Sequence, residues 1–170
     1  MGSPLVQLFG PHRSGTTWAE MVLTRNYDVL VLGRHWLPGE GEAFKHGPYR
    51  PHPAVEEALR FGQESRVRTF YVMKAEHEWW FSMQQYDNRA TLAEWERHRD
   101  QALRAENEGA YVLWWAEAVR DTAAVFGEAA EVLELTRRPG DFDPVPGYVR
   151  RDGSVLDRPF IGEATSWMLQ

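Results

Sequence analysis

A three-layer α/β domain, with a mainly parallel central sheet flanked by helices, is what the sequence predicts, and three observations predict it. The apolar strand Leu5-Val6-Gln7-Leu8-Phe9 runs directly into a glycine-bounded loop, GPHRSGTT at 10–17, and then into residues at helical spacing. Val29-Leu30-Val31-Leu32 is a continuous apolar run, as expected of a parallel strand covered on both faces. Strand then helix recurs over 69–86. At 170 residues and 43% hydrophobic, the chain has one domain's length, 1–170, and enough apolar material for a buried core.

The elements follow in order. After the first strand, Trp18, Met21 and Val22 place a helix over 16–24. The second strand ends at Gly33. Residues 46–53, HGPYRPHP, are rich in helix breakers and predict a surface loop, with a short helix over 54–61 behind it. Thr69-Phe70-Tyr71-Val72-Met73 is the third strand, and 76–86 the helix after it. A charged, highly exposed helix is predicted from Thr91, with Thr91 and Glu94 at capping-box spacing. Tyr111, Trp114, Trp115, Ala118, Val119, Thr122, Val125 and Phe126 fall on one helical stripe, so a single core helix with Gly127 as its C-cap is expected. Glu131-Val132-Leu133-Glu134-Leu135 alternates like a strand near a sheet edge. The last 34 residues read as mostly loop with a short terminal helix.

Composition excludes several functions. With no cysteine there is neither a disulfide framework nor a thiolate metal site. No H-x-x-x-H or H-E-x-x-H spacing occurs, so no metal site is expected, and Ser14 does not stand in a G-x-S-x-G elbow. A net charge of -6 argues against general nucleic-acid binding, so an anionic ligand must be met by local charge. The start of the chain has no basic leader pattern and no run approaches a membrane span, from which a soluble, cytoplasmic protein without membrane association is expected.

The loop at 10–17 carries the chemistry. It satisfies G-x-x-x-x-G with hydroxyl residues behind it, and at a strand-to-helix junction its amides and the helix N-terminus favour an anion. Thr16 stands where a P-loop nucleotide kinase carries lysine. The cation has instead moved into the loop, as Arg13.

Pro11-His12-Arg13-Ser14-Gly15-Thr16-Thr17-Trp18 resembles the P-[KR]-S-G-T-T-W loop of sulfotransferases that use 3′-phosphoadenosine 5′-phosphosulfate (PAPS), with His12 as an extra residue. The resemblance implies a P-loop-type domain in which Ser14, Gly15, Thr16 and Thr17 bind the 5′-phosphosulfate. It makes Arg13 the catalytic cation at the transferring group and leaves Trp18 between core packing and stacking on adenine. Lys74-Ala75-Glu76-His77-Glu78-Trp79-Trp80-Phe81-Ser82 is similar to the family's R-N-P-x-D-x-x-x-S segment, which implies that Lys74 and Ser82 bind the 3′-phosphate, although Asn-Pro is missing. Gly33-Arg34-His35-Trp36-Leu37-Pro38 resembles K-T-H-L-P with a tryptophan inserted, making His35 the general base. Arg150-Arg151-Asp152-Gly153 is a counterpart of the family's R-K-G loop, adding Arg150 and Arg151 to the donor site. The implied reaction is sulfuryl transfer to a small-molecule acceptor, leaving 3′-phosphoadenosine 5′-phosphate (PAP), with no metal. Two other readings stay open: an atypical nucleotide kinase, and a nucleotide-binding domain without catalysis. The oligomeric state and the acceptor are not specified by the sequence.

Overall fold

The computed structural model describes residues 3–11, 13–35, 67–86 and 89–145. Four strands, β1 (Leu5–Phe9), β2 (Leu30–His35), β3 (Val67–Met73) and β4 (Tyr111–Trp114), form one sheet in the order β2-β1-β3-β4. Every pairing is parallel, with Leu5 opposite both Leu30 and Val67, and Phe70 opposite Tyr111. The helices are α1 (Thr16–Asn26), α2 (Glu76–Tyr86), α3 (Leu92–Asn107), α4 (Trp115–Arg120) and α5 (Thr122–Leu133). The chain is an α/β protein with helices on both faces of a parallel sheet.

Alternation along the strands sorts the core into two halves. Val6, Leu8, Phe70, Val72 and Leu113 point to one face, where α1 brings Trp18 and Leu23, α4 brings Val119, and α5 brings Phe126 and Leu133. Phe9, Tyr71 and Met73 point to the other, against Trp79 and Met83 of α2 and Trp95 and Ala102 of α3. Three polar contacts are built into this second half. Gln7 Nε2 donates to Thr69 Oγ1 at 2.7 Å, across a register in which the two residues are partners. The Tyr71 hydroxyl meets His98 Nδ1 at 3.0 Å and donates to Gln101 Oε1 at 3.1 Å.

Three expected elements are corrected. The stripe from Tyr111 is not one helix: residues 111–114 form β4, and the helix beyond is broken at Asp121, whose carboxylate accepts from Ala124 N at 3.2 Å. Both faces of β4 are covered, so its run Tyr-Val-Leu-Trp is apolar throughout and carries no alternation to separate it from a buried helix. The alternating segment 131–135 is not a strand but the end of α5, where burial of Ala129, Ala130 and Leu133 against the sheet outweighs local pattern. Gly127 therefore lies inside α5, and the helix stops instead at Glu134, with φ 55°. The Leu135 amide there reaches Ala130 O at 2.8 Å, a Schellman closure made without glycine. The helix from Thr91 is less exposed than expected: Glu94, Trp95, His98, Ala102 and Ala105 are buried on one face, and the Thr91 side chain makes no capping bond.

β2 also runs two residues past Gly33. The expected loop at 46–53 and helix at 54–61 lie outside the described residues, as do the terminal helix and the segment holding Arg150 and Arg151. Among the described residues no helix is long and apolar enough to cross a membrane.

Candidate functional site

The sheet order creates a crevice at one edge. From β1 the chain turns to β2 on one side, while β3 pairs with β1 on the other. The helices that follow β1 and β3 lie on opposite faces, α1 in one half of the core and α2 in the other. Between the carboxyl ends of these adjacent strands is the topological switch point, where open α/β sheets bind ligands. The 10–17 loop leaves β1 there, and Lys74 leaves β3 beside it.

Two glycines shape the loop by close approach. A Cβ on Gly10 would stand 2.4 Å from Val72 O, so only glycine lets the chain leave β1 against the backbone of β3. Gly15 has φ 100°, and its Cβ would stand 2.4 Å from Trp115 Cδ1. Arg13 is left-handed as well, at φ 64°. The turn between them is closed by Ser14, wholly buried, whose amide and hydroxyl reach Pro11 O at 3.2 and 2.7 Å. Its hydroxyl is thus committed to the loop itself. Helix α1 begins immediately, with Ala19 N on Gly15 O at 3.0 Å, no side-chain cap and no acidic residue in its first turn. The opening amides of a helix have no acceptor within it, and here no carboxylate of the first turn offsets their positive end.

Three of the residues singled out in sequence converge on this loop. The exposed Arg13 extends to α2, its Nε 3.4 Å from Ser82 Oγ, while Ser82 itself is buried. Lys74 is 8% exposed, and its ammonium lies over the Trp115 ring, 4.4 Å from the centroid. Burial lowers its pKa from the ordinary 10.5 to about 8; the Arg13 cation pushes the same way and Glu78 opposes both. The Lys74 carbonyl accepts from Trp95 Nε1 at 2.9 Å, which pins the chain where β3 ends. The site is therefore two cations, a hydroxyl and a helix N-terminus gathered around one loop, an arrangement fit to bind an anion.

Other expectations fall elsewhere. Trp18 is 1% exposed, packs edge-on against Phe126 and donates from Nε1 to Val145 O at 2.9 Å, so the core alternative holds and its indole is not a platform for adenine. Thr16 is buried and Thr17 half-buried at the helix start. His35 is placed by its backbone alone, last in β2 and opposite Phe9; the expectation for its side chain lies outside the described residues, with His12, Arg150 and Arg151. Among the described residues no group of three or more His, Asp or Glu is gathered to hold a metal ion.

Glu78, the acid at the fifth place of the Lys74–Ser82 segment, is buried near Lys74, with His77 Nε2 3.9 Å from its Oε1. Sequence reasoning missed one neighbour: Trp115, expected in the core of a long helix, follows the carboxyl end of β4 and reaches both the loop and Lys74. The missing signal was β4 itself, because only a strand before Trp115 brings that residue to the crevice. No protein-family model matches the chain, and neither does any curated protein.

Proposed function

We propose that the protein is a sulfotransferase that moves a sulfuryl group from PAPS to a hydroxyl or amine of a small acceptor. The observation that carries this reading is the convergence of Arg13, Lys74 and Ser82 on a glycine-bounded loop at the switch point of the sheet. A kinase P-loop draws its cation from the position held by Thr16, and here that side chain is buried while Arg13 stands at the loop's outer face.

In this reading the amides at the start of α1, with Thr16 and Thr17, receive the 5′-phosphosulfate. Lys74 and Ser82 receive the 3′-phosphate. The acceptor oxygen attacks sulfur as the bond from sulfur to the bridging phosphate oxygen breaks, and the electron pair of that bond stays with PAP. Arg13 and the loop amides offset the charge growing on that oxygen, the same division of labour as in phosphoryl transfer, where positioning and charge stabilisation dominate. His35 takes the acceptor proton. No magnesium bridge is needed, since a sulfuryl group carries one fewer negative charge than a terminal phosphoryl group. Adenine is held by residues other than Trp18. A cytoplasmic location belongs to the same proposal, resting on the cysteine-free composition.

The test is a calorimetric and thermal-shift comparison of PAP, AMP and ATP, each with and without magnesium. Metal-independent preference for PAP is the expected result. Magnesium-dependent binding of ATP alone would sink the proposal in favour of a nucleotide kinase, and PAP binding without transfer to any acceptor would leave a binding domain.

A further inference from the structure

Trp115 touches the site from two directions. Its Cδ1 and Nε1 lie 2.4 and 3.0 Å from where a Cβ of Gly15 would be, so the loop's second glycine is seated directly on the indole. The Lys74 ammonium lies over the same ring at 4.4 Å. The ring is 6% exposed, and around the ammonium stand Arg13 from the loop and Glu78 from α2, the latter beside His77. Besides Glu78, the aromatic face favours the charged amine, because its quadrupole is negative where the cation sits.

We propose that Trp115 is the positioning residue of the anion site: its indole seats the 10–17 loop and holds the Lys74 ammonium, still protonated, against it. Trp115 thereby sets affinity for a phosphate-bearing ligand without touching that ligand. The proposal rests on reading the loop as the phosphate site. It predicts that the ring acts through Lys74: loss of the aromatic face leaves burial and Arg13 acting on the amine with less opposition, so the amine loses its proton at lower pH. Phenylalanine, which keeps a ring in that position, should restore most of the effect.

The sequence makes a direct test practical, because Lys45 and Lys74 are its only lysines. Protein labelled with [13Cε]lysine gives two side-chain signals, assigned by Lys45→Arg, and their pH titration is followed in the wild type, Trp115→Phe and Trp115→Leu. In the wild type the Lys74 Hε protons should be shifted upfield by the ring, and the amine should titrate below the ordinary lysine value of 10.5. Trp115→Leu should remove the upfield shift and lower the midpoint further, with Trp115→Phe close to wild type. In parallel, calorimetry with inorganic pyrophosphate and with PAP compares Trp115→Leu, Lys74→Met and the double variant, each checked for folding by far-UV circular dichroism. Trp115→Leu should weaken both ligands by roughly five- to thirtyfold, the range of a desolvated cation–π contact. It should weaken them no further once Lys74 is methionine.

An unshifted Lys74 signal in the wild type would overturn the contact. An equal loss from Trp115→Leu with and without Lys74 would overturn the coupling and leave a merely structural tryptophan. Should wild type bind neither pyrophosphate nor PAP while the lysine signals behave as expected, the phosphate reading fails and the affinity role with it. That failure is distinct, because the titration judges the Trp115–Lys74 contact without any ligand.

Discussion

Lys74 is a cation held where water scarcely reaches it, and its lowered pKa sets function against stability. Between about 8 and 10.5 the unfolded chain binds the proton that the folded chain has released, so the unfolding free energy rises with pH through that window. Below it the native state carries the full penalty, about 3 kcal/mol for a fall of this size. Lys74→Met should therefore raise stability at pH 7 by about that amount, with the gain shrinking as pH climbs past 8. The same change should weaken PAP by roughly ten- to a hundredfold. Denaturant melts across pH, paired with calorimetry, check both halves. On the proposed reaction, Arg13→Ala should behave differently, losing at least about tenfold more in transfer than in PAP affinity, because the oxygen it would face gains charge chiefly in the transition state. Unchanged turnover would remove Arg13 from the site. His35→Ala should leave PAP binding intact and cut transfer by about 10²–10⁴ for poorly acidic hydroxyls, with a smaller loss for an acidic phenol that ionises unaided. Equal rates on both acceptors would assign the base elsewhere.

At the scale of elements, the helix ends carry the strain. Helix α5 closes through Glu134 in the left-handed region, where a Cβ meets the following carbonyl at a cost of about 1–2 kcal/mol. The Schellman bond from Leu135 to Ala130 and the half-buried Leu135 side chain compensate by satisfying a carbonyl and covering apolar surface. Glu134→Gly should keep this closure, relieve the strain and raise stability by about 0.5–1 kcal/mol, measured as a higher urea midpoint with an unchanged slope. A fall in midpoint would mean that the glutamate side chain contributes more than its backbone costs. Gly15 presents the opposite case. Its left-handed φ is coupled to the contact with Trp115, so the start of α1, the loop and the start of α4 are fitted to one another at a single residue.

Across the whole molecule, the segment after α5 is tied back to the end of α1, and Asn26 makes the tie. Buried at 1% exposure, its Nδ2 donates to Val22 O at 2.9 Å and Asp143 O at 2.7 Å. Its Oδ1 accepts from Asp143 N at 2.8 Å and Arg137 Nη1 at 3.2 Å. The strand-like contact of Tyr27 with Arg137 and the bond from Trp18 to Val145 O continue the same seam. Asn26→Ala should cost about 2–4 kcal/mol, since it breaks four hydrogen bonds of a buried amide at once. For a chain of this size that is a fall in Tm of roughly 4–16 °C. Because α1 also opens at the 10–17 loop, saturating PAP should, on the proposed reading, restore part of the lost Tm by mass action. A variant as stable as the wild type would show that water replaces the amide fully. The chain's net charge of -6 makes the cations gathered at the loop a local reversal of sign, so on the proposed reading an anionic ligand is held by those cations and not by the overall field.

The sequence by itself determined the α/β class, the places of the first three strands along the chain, the helices behind β1 and β3, and the place of the 10–17 loop. Each of those is written locally, in a run of apolar residues ended by glycine or in a helix of the right period. Helix Glu76–Tyr86 was legible to the residue. What local pattern could not decide was β4, because a strand buried on both faces and a buried helix show the same unbroken apolar run. The strand at 131–135 was misread for the converse reason: its alternation is local, while the packing of Ala129, Ala130 and Leu133 that keeps it helical is not. With β4 hidden, Trp115 had no reason to be near residue 15. The resemblance assigned Arg13, Lys74 and Ser82 to one donor site; only the tertiary structure brought Trp115 to them and gave the contacts, since these residues come from four segments and their shared chemistry depends on burial and charge, quantities that no window of sequence contains.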